Sequence, residues 1–369
     1  MTDYIHIVSL IAPSPPDYGG AFDVFYKIPE LARLGKKVIL HYFDYKEGRG
    51  HAGLEPYCVA IYKYERTAFW RSLVTLMPYI VSSRIQTKLI DRLNLDHHPV
   101  LLEGIHNTGV IPYLNNRKIL VRVHNNEADY YHRLKVNEDK IIKSAYFLYE
   151  AALLSSYQKR MPKQATFLFV SETDKETFKS KYQQPHQFFL PCFVPWQQVQ
   201  SLEGKGKYCL YHGNLCISEN IKAALWLAQS IFSQVEVTLV IAGKGANNLK
   251  SRLPERANIL FVNDPTDEQL SDLIQNAHIN VLPSFNSTGV KLKLIHALFE
   301  GRFSLTNHAG VRGSGLEGFV PTPESRLDWI MAIRNKMTTE FTKEMIQERI
   351  EQLRIYNNAI NAEKLSALL

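Results

Sequence analysis

Short apolar runs alternate with longer amphipathic segments along the chain. In the first half, runs rich in Ile, Leu and Val predict buried strands, and apolar residues at helical spacing predict helices between them. The predicted strands are 5–11, 37–42, 100–102, 119–123 and 166–170, and the predicted helices are 22–34, 82–93 and 137–160. This alternation is typical of a doubly wound α/β domain with a parallel sheet.

The second half repeats the alternation. Its predicted strands are 208–212, 235–241, 258–262 and 279–282, and its predicted helices are 221–232, 266–276, 293–300 and a tail at 343–369. Between the halves, residues 183–207 are rich in proline and glutamine and include Gly-Lys-Gly, which indicates a linker. We predict two Rossmann-like domains facing across a cleft, 1–195 and 208–369, joined by a linker at 196–207. The tail is free to cross back to the first domain.

Composition narrows the class of protein. Of 369 residues, 45% are hydrophobic and 21% are charged, which excludes a disordered or collagen-like chain. Four scattered cysteines with no C-x-x-C pair exclude a disulfide framework and a zinc ribbon, and favour a reducing compartment. The sequence shows neither a secretory signal nor an apolar run of about 18 residues, so we expect a soluble or peripheral protein.

The positive charge lies mainly in the first half. The net charge is +7, and residues 1–200 hold 25 basic and 19 acidic residues. In 63–92, basic and apolar side chains interleave, which suits an anionic membrane surface or a polyprenyl-phosphate acceptor; an ordinary pair of surface helices is the alternative. The side chains are Arg66, Arg71, Arg84, Lys88 and Arg92, with Phe69, Trp70, Leu73, Leu76, Met77 and Tyr79. No recognised nucleic-acid module is present, so we expect no nucleic-acid partner.

Ligands of open α/β sheets bind at the carboxyl ends of the strands, so the loops there carry the candidate chemistry. Gly19 and Gly20 at the first strand-to-helix turn favour an anion at the helix N-terminus, with a plain tight turn as the alternative. The motif is not G-x-G-x-x-G, which disfavours a nicotinamide dehydrogenase. His124, after 119–123, is a candidate for bonding a sugar hydroxyl or moving a proton, whereas Glu127 and Asp129 suit a helix start.

In the second half, Gly213 and Asn214 follow one strand, and Gly243 and Lys244 follow the next. Glycines beside a lysine suit close approach by a phosphorylated ligand, although no Walker A motif is present.

The densest group of candidate residues lies in 282–301. A strand leads into a Ser/Thr/Gly loop that opens a helix with two lysines near its start. Cations there oppose the helix dipole unless an anion is bound, and a diphosphate resolves the conflict. Along the helix, Lys293, His296 and Glu300 share one face, which as an alternative is a solvated charged face. The candidates in this loop and helix are Thr288, Gly289, Lys291, Lys293 and His296.

Seven short motifs occur here in the order in which they occur in one known family. They are Pro-Pro-Asp-Tyr-Gly-Gly at 15–20, Val-His-Asn at 123–125, Val-Ser-Glu-Thr-Asp at 170–174, Leu-Pro at 190–191, Gly-Asn-Leu at 213–215, Ala-Gly at 242–243, and Leu-Pro-Ser at 282–284 followed by Gly-x-Lys-x-Lys at 289–293. Through nearly its whole length the chain resembles the GT-B fold retaining glycosyltransferases of the family-4 type, which elongate bacterial surface polysaccharides.

The resemblance implies transfer of a sugar from a nucleotide-diphosphate donor to a lipid-linked or oligosaccharide acceptor, with no cofactor and no obligatory metal. It implies that the second domain binds the nucleotide and the first domain the acceptor. By the same resemblance, Gly19 and Gly20 lie near the diphosphate, His124 contacts the transferred sugar, and Lys291 and Lys293 neutralise the leaving group. The loop before Asn263 reads the base. The expected location is cytoplasmic, at or near the inner face of the membrane.

Two departures from the family pattern leave alternatives open. The family's Glu-x7-Glu pair is replaced by Thr288 and His296, and its diphosphate-binding Arg and Lys are replaced near Asn214 and Asn220. The alternatives are a GT-B-fold nucleotide-sugar epimerase and a catalytically inactive homologue that acts as a scaffold subunit. Retention and inversion both remain open, while the lack of an evident carboxylate pair disfavours glycoside hydrolysis.

Overall fold

The computed structural model describes residues 3–67, 76–136, 140–253 and 256–369. The chain divides into two compact units, one formed by 1–195 with 356–369 and the other by 196–355. The segment predicted as a linker, 196–207, is part of the second unit. Within the described ranges, no helix has both the length and the apolar character to cross a membrane.

The first unit is built on a seven-stranded parallel sheet in the order β3-β2-β1-β4-β5-β6-β7. Its strands are β1 (Tyr4–Ser9), β2 (Lys37–Phe43), β3 (Cys58–Tyr64), β4 (Val100–Glu103), β5 (Ile119–Val123), β6 (Thr166–Phe169) and β7 (Gln187–Phe189). Its helices are α1 (Gly19–Arg33), α2 (Tyr79–Ser82), α3 (Thr87–Leu93), α4 (Glu127–Val136), α5 (Ile141–Arg160) and α6 (Glu172–Tyr182). Single turns or short 3₁₀ segments lie at Glu55–Tyr57 and Ile105–Tyr113.

The second unit has a five-stranded parallel sheet in the order β10-β9-β8-β11-β12. The strands are β8 (Cys209–His212), β9 (Leu239–Gly243), β10 (Ile259–Asn263), β11 (Ile279–Val281) and β12 (Phe303–Leu305). The helices are α7 (Ser218–Trp226), α8 (Ala246–Lys250), α9 (Asp267–Asn276), α10 (Leu292–Glu300), α11 (His308–Val311), α12 (Arg326–Thr338) and α13 (Lys343–Leu353). The last helix, α14 (Asn358–Ala367), belongs to the first unit.

Both faces of the first sheet are buried. Neighbouring strand residues point to opposite faces, so Leu101 and Leu102 enter different core clusters, as do Leu120 and Val121. The apolar runs of these strands are therefore continuous rather than alternating, as helices on both faces require. Leu365 of α14 packs in the same cluster as the α1 face, which ties the end of the chain to the first unit.

The predicted α/β class with two parallel-sheet domains is confirmed, but several elements differ from the prediction. Strands β3, β7 and β12 were not predicted; β3 and β7 lie at sheet edges, where few residues are buried and the apolar signal is weak. The predicted helix 82–93 is instead α2 and α3 with a turn between them. The predicted tail helix is interrupted between α13 and α14, and the start of the predicted helix 137–160 lies outside the described residues.

Candidate functional site

The candidate residues lie at the carboxyl ends of both parallel sheets. Gly19, Gly20 and His124 belong to the first unit, where β1 leads into α1 and β5 leads into α4. The remaining candidates lie in the second unit, in the loops after β8, β9 and β11 and in helix α10, which follows the last of these loops. The position at strand ends follows from the strand–loop–helix order of a parallel sheet.

The N-terminus of α1 begins at Gly19, directly after Tyr18. The Tyr18 carbonyl accepts from the amides of Ala21 and Phe22, at 3.0 and 2.9 Å, but the Tyr18 side chain does not cap the helix, so the first two amides of α1 suit an added acceptor. A Cβ on Gly20 would lie 3.1 Å from the Tyr18 ring, which explains the glycine by packing. Arg49 stacks over the same ring, 5.1 Å from its centroid, and binds the Ala12 carbonyl.

Below this turn lies a buried network of four charged side chains. Asp23 accepts hydrogen bonds from Lys27 Nζ and from Arg122 Nε and Nη2, each at 2.9 Å. Lys27 also donates to Glu103 Oε1 at 2.6 Å. All four side chains are fully buried, with two positive and two negative charges. The network joins α1 to β4 and β5, so removing one member leaves an uncompensated buried charge.

The charges of this network fix its protonation. Burial alone would raise the pKa of Asp23, but the Arg122 guanidinium and the Lys27 ammonium hold it well below its ordinary value. Burial would likewise raise the pKa of Glu103, but Lys27 and a hydrogen bond from His124 lower it. Both carboxyl groups are therefore ionised at neutral pH.

His124 is oriented by this network. Its Nε2 lies 2.9 Å from Glu103 Oε2, and its Nδ1 lies 3.9 Å from Asp23 Oδ2. Because an ionised carboxylate only accepts, Nε2 carries the proton of this bond, and in the neutral ring Nδ1 is an acceptor. The ligand atoms of Asp23, Glu103 and His124 lie within 4.8 Å of one another, close enough to hold a metal ion. Both carboxylates, however, already bind Lys27 or Arg122, which balances their charge.

The predicted site residues did not include the four members of this network, Asp23, Lys27, Glu103 and Arg122. A signal was present, because Arg122 interrupts the apolar run of β5 and Glu103 ends the apolar run of β4. Charged residues inside strands that are buried on both faces indicate partners or function.

In the second unit, the turns after β8 and β9 meet backbone to backbone. A Cβ on Gly243 would lie 1.9 Å from the Gly213 carbonyl oxygen, and the φ of Gly243 is +143°. The Gly213 amide donates to Ala242 O at 3.1 Å. Gly243 is therefore needed for the approach of these two turns, whatever ligand lies beside them.

Asn214 and Lys244 both have exposed side chains and lie in turns that hydrogen bonds close. Asn214 is exposed, and its Oδ1 accepts from the Cys216 amide at 3.0 Å, which closes the turn after β8. Its carbonyl accepts from Asn220 Nδ2 at 2.9 Å. The Lys244 side chain is exposed, while its carbonyl accepts from the Leu215 amide at 2.8 Å. The turn that carries the predicted site residue Asn214 is thus held by its own amide side chains.

The loop between β11 and α10 is closed by its own polar groups. Asn286 Oδ1 accepts from both the amide and the hydroxyl of Thr288, at 2.9 and 2.8 Å. Lys291 Nζ donates to the carbonyls of Thr288 and Gly289, at 2.5 and 3.1 Å. Gly289 has a φ of +64°, in the left-handed region that favours glycine. Lys291, predicted as a diphosphate ligand, therefore also braces this loop.

Lys293 lies at the start of α10 between neutral partners. Its Nζ donates to the Tyr211 hydroxyl at 3.2 Å and to Asn220 Oδ1 at 3.1 Å, and it lies 4.7 Å from the centre of the Tyr211 ring. Burial, followed by the charge of Lys291, lowers the pKa of Lys293 to about 7. A lysine in this setting gains from a bound anion.

His296 and Glu300 follow Lys293 along α10, and both are buried. His296 Nε2 lies 2.9 Å from Glu300 Oε2, and its ring stacks on Trp196 with centroids 4.2 Å apart. The alternative of a solvated charged face is therefore wrong, because the tail of α10 lies in the core. Trp196 was not predicted. His212, whose ring meets His296 edge-on at 6.0 Å, is also buried, and burial keeps its pKa well below 6.5.

One part of the basic segment 63–92 is corrected. Arg84 is 2% exposed and donates to the carbonyls of Leu10 and Ile80, so its predicted surface role is wrong. Arg66 is sandwiched between the Tyr45 and Tyr79 rings, 4.6 Å from each centroid. Several of the predicted contacts lie outside the described residues, namely Phe69, Trp70, Arg71 and Leu73.

One family model matches most of the second domain. Residues 206–338 match the model described as glycosyl transferases group 1. This part of the chain is similar to the glycosyl transferases of group 1. One curated relative of the chain is an uncharacterized 44.6 kDa protein in the cps region of Klebsiella pneumoniae. It is 28% identical, and the match covers 84% of each chain.

Solved structures show which fold the chain has. A glycosyltransferase from Rickettsia africae is 12% identical and superposes with a TM-score of 0.63, covering 99% of this chain and 97% of that one. Anabaena Alr3699/HepE, solved with UDP and glucose, is 11% identical with a TM-score of 0.62, covering 98% of each chain. At these identities the likeness shows the fold, and the predicted GT-B fold is confirmed.

Proposed function

We propose that this chain transfers a sugar from a nucleotide-diphosphate donor to a lipid-linked or oligosaccharide acceptor in surface polysaccharide synthesis, with retention of configuration. The observation that carries the proposal is Lys293, whose ammonium donates to two neutral acceptors, Tyr211 and Asn220, beside the strand ends of the domain that resembles group 1. The polysaccharide context is supported by the cps-region relative, and the donor class by the UDP bound to HepE.

The second domain binds the donor diphosphate in this proposal. Lys293 supplies the charge, and Lys291 and the loop that it braces supply further donors at the start of α10. As the bond between the anomeric carbon and the phosphate oxygen breaks, negative charge grows on the leaving diphosphate, where a fixed cation stabilises it most. The acceptor oxygen forms the new bond to the anomeric carbon, and its proton passes to the departing phosphate oxygen.

The first domain binds the acceptor, and His124 bonds a sugar hydroxyl. Because Nε2 is committed to Glu103, we assign the sugar contact to Nδ1, which accepts from the hydroxyl. No metal and no other cofactor takes part in the proposed reaction. The uncapped first turn of α1 adds amide donors that suit an anionic group of either substrate.

Turnover with and without acceptor tests the proposal. The protein is incubated with a panel of UDP-, GDP- and dTDP-sugars, alone and with a bacterial lipid-linked oligosaccharide extract, and released nucleoside diphosphate and glycosylated product are measured. We expect release with one donor that depends on acceptor, and a product of the same anomeric configuration as the donor.

Other results contradict the proposal in distinct ways. Conversion of the donor sugar without acceptor indicates the epimerase. Binding of a nucleoside diphosphate without any turnover indicates the inactive scaffold. This is the second candidate because Thr288 and His296 stand in place of the family's acidic pair.

A further inference from the structure

Arg349 of α13 is a buried cation in the second unit. It is 5% exposed, and together with Leu353 it forms the buried side of its helix. Its Nη1 donates to Ser201 Oγ at 3.0 Å and to the Gly301 carbonyl, and its Nη2 donates to the Arg302 carbonyl. All three acceptors are neutral, so none of these hydrogen bonds balances the charge of the guanidinium.

The Arg349 guanidinium has more donors than these acceptors use. An arginine side chain carries five N–H donors, and the three hydrogen bonds leave two of them. One is the Nε–H, which is buried and has no acceptor within the described ranges. Burial lowers the pKa of Arg349 to about 9, and the negative charge of Glu348 offsets this only in part. A negatively charged acceptor beside Arg349 would therefore stabilise the folded protein.

Arg349 lines a cavity of about 160 Å³. Most of the other lining residues are apolar, and they include the rings of Phe303, Phe319 and Phe341. An apolar cavity of about 150 Å³ holds a molecule of the size of benzene. The cavity is therefore too small for a nucleotide sugar, and its size suits a ligand whose apolar body is about one ring.

The other polar residues of the cavity also favour an anion. Ser304 is buried, and its Oγ makes no hydrogen bond in the part of the chain that the structure describes. Lys336 Nζ lies 4.5 Å from the centre of the Phe303 ring, which forms part of the wall. Glu348 lines the cavity as well, but it is exposed. Arg349 and Lys336 together outweigh this single carboxylate, so the cavity attracts negative charge.

The cavity lies away from the candidate nucleotide site of the same unit. Arg349 binds the carbonyls of Gly301 and Arg302, which directly precede β12, so it lies at the amino end of that strand. Lys293 and the candidate loops lie at the carboxyl ends of the strands. These ends are opposite edges of a parallel sheet, so a ligand of the cavity is separate from the sugar donor.

We propose that this cavity binds a small organic carboxylate whose apolar body is about the size of one ring. The carboxylate accepts from the two remaining N–H donors of Arg349 and from the Ser304 hydroxyl, and its body packs against the phenylalanine rings. Inorganic phosphate fits less well, because it has no apolar part to cover these rings. The inference goes beyond the proposed function and does not depend on the nucleotide site.

Calorimetry with three small probes tests the inference. The full-length wild-type protein is titrated with benzoate, with its neutral analogue benzamide and with inorganic phosphate. We expect benzoate to bind at a single saturable site. It should bind more tightly than benzamide by roughly 10- to 150-fold, the ratio that a charge-assisted hydrogen bond implies. Phosphate should bind more weakly than benzoate.

Two substitutions in the walls locate the site. Met345→Trp enlarges a half-buried side chain that lines the cavity and should abolish benzoate binding. Met331→Trp is the matched control, because Met331 is 52% exposed on α12 in the same unit and does not line the cavity. Ser304→Ala removes only the hydroxyl that has no partner, and it should weaken benzoate binding by about 2- to 10-fold.

Several results overturn the inference. They are no binding of benzoate by the wild type at millimolar concentration, equal affinity for benzoate and benzamide, tighter binding of phosphate than of benzoate, and unchanged benzoate affinity in Met345→Trp. If Met345→Trp does not fold, an unchanged affinity in Ser304→Ala has the same meaning. Lys293→Met should bind benzoate as the wild type does, and a loss would assign the carboxylate to the candidate nucleotide site instead.

Discussion

Replacing Lys293 with methionine should make the unliganded protein more stable and its nucleotide binding weaker. Methionine keeps nearly the length of lysine but removes the charge that burial disfavours. The pKa of Lys293 falls from 10.5 to about 7. With allowance for partial exposure, that shift corresponds to a cost of about 2–5 kcal/mol for the charged form in the folded protein. The variant loses two hydrogen bonds, worth about 1–2 kcal/mol together, so the net gain is about 0–4 kcal/mol.

The pH dependence follows from the same shift. Between about pH 7 and 10.5 the unfolded chain binds the lysine proton more tightly than the folded chain, so the stability of the wild type rises with pH across this window. Lys293→Met removes that contribution, and its advantage over the wild type should be full below pH 7 and shrink as the pH rises. Thermal unfolding at several pH values measures it.

Nucleotide binding should change in the opposite direction. A charge-assisted hydrogen bond to the diphosphate is worth about 1.5–3 kcal/mol, so Lys293→Met should weaken binding of the diphosphate by about 10- to 150-fold in calorimetry. Lys343→Met is the matched control, because Lys343 is an exposed lysine of α13 in the same unit, and it should change neither quantity. A less stable Lys293→Met would show that the buried charge of Lys293 does not destabilise the folded protein. An unchanged nucleotide affinity would show that Lys293 does not contact the diphosphate.

Three further substitutions test the buried charges and close backbone contacts beside the candidate residues. Glu103→Gln should lower the free energy of unfolding in urea by about 3–5 kcal/mol, because it leaves Lys27 in a buried site with one carboxylate fewer; a loss below about 1 kcal/mol would contradict the network. Gly243→Ala should lower the melting temperature markedly, since its Cβ would meet the Gly213 carbonyl, whereas Gly50→Ala, in open space, should not. Burial raises the pKa of Glu127 to about 8, so the stability of the wild type should fall as the pH rises from about 4.5 to 8. In Glu127→Gln this fall should be absent from the thermal unfolding profile. If both proteins show the same pH profile, the Glu127 carboxyl is not the cause of the fall.

The fold was predictable because the central strands carry their information locally. Apart from Arg122, strand β5 is a short buried apolar run, and such runs are typical of the central strands of an α/β protein. The edge strand β3 consists mostly of half-buried residues, and its position depends on its pairing with β2. Local pattern therefore predicts the middle of each sheet better than its edges.

The candidate site was predictable only at the level of loops. Glycines and lysines after strands indicate where a phosphate binds, because strand ends are shared by all parallel sheets. The partners of these residues come from distant parts of the chain. Asp23 and Arg122 are 99 residues apart, and Lys293 reaches Tyr211 across 82 residues. Which charges are buried together depends on tertiary packing, so the protonation of Lys293 was not visible in the sequence.

Nucleotide binding by the wild-type protein is the most direct test of the proposal that the second domain binds a nucleotide-diphosphate donor. UDP, GDP, CMP and dTDP are compared in a thermal-shift panel, and any hit is titrated by calorimetry. A ligand that binds only the folded chain raises the melting temperature, and the rise grows with the logarithm of its concentration above its Kd. The proposed function predicts a clear rise with at least one nucleoside diphosphate and saturable binding at a single site. No shift with any of the four would contradict it.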